Sequence, residues 1–455
     1  MMKRRNRGQD GARRPSSGRR HGRGLARESR ASLGLALSIT VLGAALGCSS
    51  EAEPGTGKSA GGRADAPEAE RHTSWRRARV LVGDGRGGSL HVIDIEDEEV
   101  IAELDAGGPA ALHGTESGDY AVAVGAEEVR FIRSGVAIVD HTDHIHIYKS
   151  PPKVLDLSLP GASPGAFVSR EAWLSIFFDG TGQGGASAQA VLVKEPSLNA
   201  EEPEILSLPP VEPHRGLAAP LGDTFLVSFP PEDEPGGLPL GLNVLSAGGE
   251  VLEGVSSPCP GLRGQAAIGE EIAFACDDGL LLVGRDGGTT TARKLSYPRA
   301  DARSFTLRSH VERTALIGDF GESTLIEIEP ADGAARFFDL PAPVCHFELE
   351  PGRGEQAIAL AADGNVYVLD LATAKIAAHA AAVPAFQCDD AVRPGLALAP
   401  DYAYVTDPTG GEVHEIGLRS LTITRSYQVG GAPSAVVMMG LNLKNVNVAP
   451  GAAHD

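Results

Sequence analysis

From Arg79 onward the chain is built of short runs in which apolar and polar residues alternate. "RVLVGD", "SLHVIDI" and "EVIAELDAGG" set the format, with Gly- and Asp-rich turns between them. The format recurs in "YAVAVGAEEVRFI", "WLSIFFDGTG", "TFLVSFP", "EIAFACDDGLLLVG", "TALIGDF…TLIEIEP", "QAIALAADGNVYVLDLATAKIAAH" and "YAYVTDPTGGEVHEIGLRSLTITRSYQVGG". Runs of four to eight residues at regular spacing, parted by DG or GG turns, predict strands and an all-β fold.

The repeat has internal order. A strand is followed by a turn such as "DG" or "TGGE", a strand ending in "VID", "VLD" or "HEI", then a third strand leading to "GG-P" or "LP-P". One four-stranded blade per unit is the format of a β-propeller. Innermost strands are expected to start near His113, Phe167, His214, Gly264, Phe305, His346 and Leu396. A last strand, "APSAVVMM", would complete the blade begun by "RVLVGD" and close the ring. Eight units then cover residues 78–440, at about 45 residues each. Seven blades with one large insertion is the alternative. Two separate β-sandwiches fit less well, because the repeat runs on without a linker.

The flanks have a different character. Residues 1–32 are rich in Arg and Gly, and a short apolar run follows at residues 33–46. Residues 1–47 read as a secretory signal. It ends in "ALGC", which resembles a bacterial lipoprotein cleavage site with Cys48 as the lipidated residue. Ser49 in place of Asp points to the periplasmic face of the outer membrane. Residues 48–77 read as a polar tether and 441–455 as a disordered tail.

Charge narrows the partners. Residues 1–47 hold eleven Lys/Arg and two acids, so the remainder carries 29 bases and 58 acids, a net of −29. Such a body repels nucleic acid and suits cations. With Cys48 assigned to lipid, four cysteines remain, an even number in an exported chain. We expect Cys259–Cys276 and Cys345–Cys388. No CxxC is present, which argues against a thiolate zinc site or a redox motif. Apolar residues make up 42%, enough for a core, and 57 Gly with 31 Pro favour many turns.

The densest chemistry lies in "DHTDHIHIY", residues 140–148, which carries three of the thirteen histidines. In an extended segment positions two apart share a face, so His144 and His146 can present two imidazoles to one ion. Asp143 or His141 would add a third ligand to a tetrahedral zinc shell. The plain alternative is a solvated polar loop. The stretch is expected between the second and third strands of its unit, where it would fold over the channel mouth. His113, His214 and His346 each stand at the start of an inner strand, where residues distant in sequence converge on the channel. No nucleophile elbow or P-loop is present, and "FFDGTG" at residues 177–182 reads as a hairpin turn.

These segments resemble the periplasmic zinc metallochaperones of the AztD type, which pass zinc to the solute-binding protein of a zinc ABC transporter. "HVIDI", "DHTDHIHI", "PHRGLAAPLGDTFLVSFP", "LPLGLNVL", "CPGLRGQAAIGEEIAFACDDGLLLV" and "YVTDPTGGEVHEI" carry the resemblance, over roughly residues 79–440. It implies zinc as the cargo, His113, His214, His346 and the loop histidines His141, His144 and His146 as ligands, and Cys259–Cys276 as a family disulfide. The departures matter. Ala166 and Arg263 stand where the family has His, Arg215 replaces a second His in "PHRG", and "FQCDDAV" around Cys388 replaces a His-bearing segment.

The expectation is therefore a zinc-binding exported lipoprotein, not an enzyme, that stores or hands on zinc. The competing expectation is a metal-free propeller scaffold that has lost part of the site. A cation-dependent propeller hydrolase is a weaker third, since such channels gather Glu, Asp and Asn rather than His.

Overall fold

The computed structural model describes residues 74–446 apart from 142–144, 183–184 and 232–235. Among these residues there are eight four-stranded antiparallel sheets and one separate two-stranded hairpin. The inner strands of blades 2 to 8 are Ala111–Gly114, Pro164–Arg170, Ala218–Leu221, Gln265–Ile268, Leu307–Arg308, Val344–Leu349 and Leu396–Ala399. In blade 1 the inner strand is Pro433–Met439, which pairs with Arg79–Asp84, followed outward by Ser89–Asp94 and Glu99–Asp105. The last strand thus lies against the first and closes an eight-bladed propeller, as the pattern of the chain predicts.

The core explains why the two middle strands of each blade are so apolar. Eight buried clusters occur, one for each seam between neighbouring blades. Alternate residues of one strand serve different seams. In Glu271–Cys276, Ile272, Phe274 and Cys276 pack toward blade 4, whereas Ala273 and Ala275 pack toward blade 6. A strand covered on both faces must be apolar at both parities, unlike a half-solvated one. The outer strands keep polar positions; Thr289–Ser296 has no fully buried residue.

Many of the acids terminate strands. Asp84, Asp94, Asp370 and Asp407 each accept a hydrogen bond from the backbone N–H two residues on. A short carboxylate that bonds its own turn favours that turn over continued extension. Much of the negative charge is therefore turn chemistry.

Strand direction fixes two faces. Neighbours within a blade are antiparallel, so inner strands begin on the face where second strands end. We call this the leading face. Inner and third strands end on the opposite, trailing face. Both disulfides, Cys259–Cys276 and Cys345–Cys388, lie at the leading side, with Cys276 ending a second strand and Cys345 near the start of an inner one. Among the described residues no helix is long and apolar enough to cross a membrane.

Candidate metal site

The hairpin Val136–Asp140 and Ile145–Lys149 intervenes between the third strand of blade 2, Glu128–Arg133, and its outer strand, Lys153–Pro160. It follows the third strand rather than the second, because Ala111–Gly114, Tyr120–Val124 and Glu128–Arg133 all pair in blade 2 before the hairpin begins. This corrects the expected position, and with it the expected face. A segment that leaves the end of a third strand emerges on the trailing face, away from the starts of the inner strands.

His146 lies opposite Val139 in the hairpin register. Its ring meets that of His141 edge-on, with centroids 5.1 Å apart, and stacks on exposed Tyr148 at 6.0 Å. Ile145, of the other parity, is buried. The alternation thus turns the imidazole outward and an aliphatic side chain inward. Asp143 and His144 lie outside the described residues.

The base of the hairpin is held by charge. Arg79 Nη1 donates to the carbonyl oxygens of Ser134 at 2.6 Å and Ser150 at 2.7 Å, one on each side of the hairpin. Its Nε donates to Asp94 Oδ2 at 3.2 Å. Lys149 Nζ bridges Asp94 Oδ1 at 2.6 Å and Glu96 Oε2 at 2.7 Å, and Arg77 donates to the Ile147 carbonyl at 3.1 Å. Burial opposes the charge of Asp94, but Lys149, the Asp97 N–H and Arg79 outweigh it and hold the carboxyl below its usual range.

Two of the predicted channel histidines stand inside the ring. His113 packs against Phe167 with centroids 5.2 Å apart. Burial, and then the charge of Arg308 reaching from blade 6, push its pKa down to about 4. His346 is likewise pushed down to about 4 by burial and then by Arg393 and Arg308. Its Nε2 is buried without a protein partner. Both rings are therefore neutral near pH 7, the state a metal requires. Arg308 forms a two-pronged bond to Glu348, at 2.8 Å on each prong. That pair lines a trailing-face pocket of about 430 Å3, with Thr115, His310, Leu441 and Val446.

His214 is placed differently. It precedes the inner strand of blade 4 on the leading face, is fully buried, and has both ring nitrogens engaged. Nδ1 is 2.9 Å from the Glu212 carbonyl and Nε2 is 3.0 Å from Ser228 Oγ. Beside it Asp179 Oδ1 accepts the Gly216 N–H at 3.2 Å. Burial raises the Asp179 carboxyl to about 6, against the pull of the Gly216 N–H and of Arg263 and Arg215. Ala166, standing where the resembled family has His, packs against the clusters on either side of blade 4.

Among the described residues no three His, Cys, Asp or Glu side chains gather around a point that would hold a metal ion. The channel pair alone does not complete a tetrahedral zinc shell. The hairpin has two imidazoles already in contact, with two further candidate ligands in the intervening loop of the sequence. Sequence reasoning missed Asp94, Lys149, Arg79, Arg308 and Glu348. Each is an ordinary charged residue in a strand or its turn, and only the fold shows what it meets.

An eight-bladed propeller with a His-bearing hairpin on one face and a pair of neutral imidazoles in its channel defines a protein built for binding. No protein-family model matches the chain. It is 30% identical over 376 residues, 81% of this chain and 87% of the relative, to the zinc chaperone AztD of Citrobacter koseri. The crystal structure of Citrobacter koseri AztD matches with a TM-score of 0.74 at 29% identity, over 80% of this chain and 97% of that one. Its apo form gives 0.72 at 28%, with the same coverage. The dihydro-heme d1 dehydrogenase NirN, at 12% identity and a TM-score of 0.53 over 82% of this chain and 76% of its own, shares the fold alone. The chain belongs to the family of the zinc chaperone AztD. The AztD relative is a zinc chaperone rather than an enzyme.

Proposed function

We propose that this protein is an exported zinc metallochaperone that collects zinc at the hairpin on the trailing face. The observation that carries this reading is the edge-on contact of His141 and His146, 5.1 Å between centroids, in a chain of this family. Imidazoles that face each other across a short hairpin need little reorganisation to share one ion. His144 and Asp143, by their place in the sequence, are the further ligands. His113 and His346 would take zinc only with a ligand from outside the described set.

The recipient in this reading is the solute-binding protein of a zinc ABC transporter. The signal at residues 1–47 and Cys48 support a lipid anchor at the cell envelope, on the periplasmic face of the outer membrane. The test is equilibrium dialysis of the mature domain against zinc, native and with His141→Ala and His146→Ala. Equal zinc uptake by both would sink the hairpin as the site.

The engagement of both ring nitrogens of His214, by the Glu212 carbonyl and by Ser228, favours a second reading, a metal-free propeller scaffold. A native domain that takes up no zinc in dialysis, and recovers the same partner from extracts with or without chelator, would establish it.

A further inference from the structure

The base of the hairpin is more strongly built than a surface loop requires. Three cationic side chains hold it, and two of them meet on one buried carboxylate. The Asp94 side chain is 1% exposed and that of Arg79 is 5% exposed. Desolvated charges of this kind cost several kcal/mol unless paired with good geometry. A mobile surface loop does not need them.

The geometry is also specific. One guanidinium nitrogen of Arg79 reaches the carbonyls of both Ser134 and Ser150. These residues mark the two points where the chain leaves and rejoins the blade. The Ser150 N–H donates to the Gly135 carbonyl at 2.7 Å, and Ser134 Oγ accepts the Val136 N–H at 3.1 Å. Gly135 has a φ of +73°, and a Cβ there would collide with the Ser150 carbonyl and with the Arg79 guanidinium. The glycine leaves the space into which Arg79 reaches.

Arg79 is the first residue of the strand on which the ring closes, and it pairs with Met439 of the last strand. Gly440, next along, packs its backbone against Val136 of the hairpin. The hairpin is therefore seated on the seam where the two ends of the propeller meet.

We propose that Arg79, Asp94 and Lys149 are positioning residues that hold the hairpin in the orientation in which His141 and His146 face each other and receive zinc. The proposal rests on the zinc reading of the hairpin. None of the three touches the metal. They act by fixing the two strands that carry the imidazoles, as supporting residues around metal ligands do.

Arg79→Lys tests this with little risk to folding. It keeps a cation beside Asp94 but removes the planar fork that serves Asp94 and two carbonyls at once. Lys149→Met, which leaves Arg79 on Asp94, is the second variant. Zinc affinity by competition with a chromophoric chelator is expected to fall about tenfold or more in each. Amide hydrogen exchange should rise in the hairpin strands, while the thermal midpoint stays near native. Cobalt, used as a coloured probe, should show an altered ligand-field spectrum, which a change in global stability alone would not produce. Restoration of affinity in Lys149→Arg would support the proposal further. If His141→Ala with His146→Ala abolishes zinc binding while Arg79→Lys and Lys149→Met bind natively with native exchange, the positioning role is overturned and the zinc site stands. If the double histidine variant binds zinc as the native protein does, the site itself is lost, and the proposal with it.

Discussion

Lys149, the last residue of the hairpin, bonds through Nζ to Oδ1 of Asp94, the last residue of the third strand of blade 1, at 2.6 Å. They are 55 residues apart in sequence and belong to different structural units. The bond ties the His-bearing insertion of blade 2 to the blade that closes the ring, so the hairpin takes its bearing from the rigid body of the propeller.

Zinc binding should appear as stability. A ligand that binds only the folded state at one hundred times its Kd adds about 2.7 kcal/mol. Thermal unfolding of the native domain should shift upward with zinc and return with chelator. In His141→Ala with His146→Ala the shift should vanish, and an undiminished shift would remove the hairpin from consideration.

The channel histidines should govern part of the acid response. His113 and His346 titrate at about 4 in the folded state, against 6.5 for an unperturbed imidazole. Their folded pKa is lowered, so the unfolded chain takes up protons first as pH falls. Stability is full above 6.5 and declines between 6.5 and 4. His113→Gln with His346→Gln should flatten that limb of a denaturant-midpoint profile, and an unaltered slope would refute the assignment.

Asp179 should work in the opposite sense. Its folded pKa is raised to about 6 from 3.8, so its contribution is full below 3.8 and is lost as pH rises through 6. Asp179→Asn keeps an acceptor for the Gly216 N–H and removes the buried charge. The variant should gain stability relative to the native protein at pH 7 and lose that gain at pH 4. A variant less stable at both values would contradict it.

Gly135→Ala should be costly for its size. The left-handed conformation alone costs a non-glycine residue about 1–2 kcal/mol, and the collision with Ser150 and Arg79 adds to it. Chemical denaturation should show a loss above about 2 kcal/mol. Gly182→Ala, where the added Cβ meets nothing within 4 Å, should be near neutral.

The cross-link between Cys345 and Cys388 joins the inner strand of blade 7 to the segment entering blade 8 and closes a span of 43 residues. Its removal by Cys345→Ala with Cys388→Ala should cost about 2–4 kcal/mol. Loss of Cys259–Cys276, spanning 17 residues, should cost somewhat less, because a shorter loop gives up less entropy. Equilibrium unfolding of the two variants checks the order.

The sequence by itself determined the architecture. Each blade repeats the same local instruction: a short strand, an Asp- or Gly-marked turn, and two strands apolar at both parities. Strand propensity and turn chemistry are local, so "EIAFACDDGLLLVG" and "YVTDPTGGEVHEI" declare their hairpins without help from the rest of the chain. Eight such units, a final strand complementing the first, and four cysteines in two pairs were legible for that reason. So were the candidate imidazoles, since His141, His144 and His146 stand together in one short stretch.

Only the tertiary structure decided which of them share a surface. Residue spacing carries no information about which end of a blade a loop leaves from until every strand in that blade is counted. The two-residue-per-face rule could not show that the hairpin emerges on the trailing face, while His214 sits on the leading face with both nitrogens bonded. Nor could it show that Arg308 of blade 6 bears on His113 of blade 2, or that Arg79 reaches both ends of the hairpin. These relations arise because closing the ring brings together side chains that are remote along the chain, and electrostatic and hydrogen-bonding contacts act through that space rather than along the sequence.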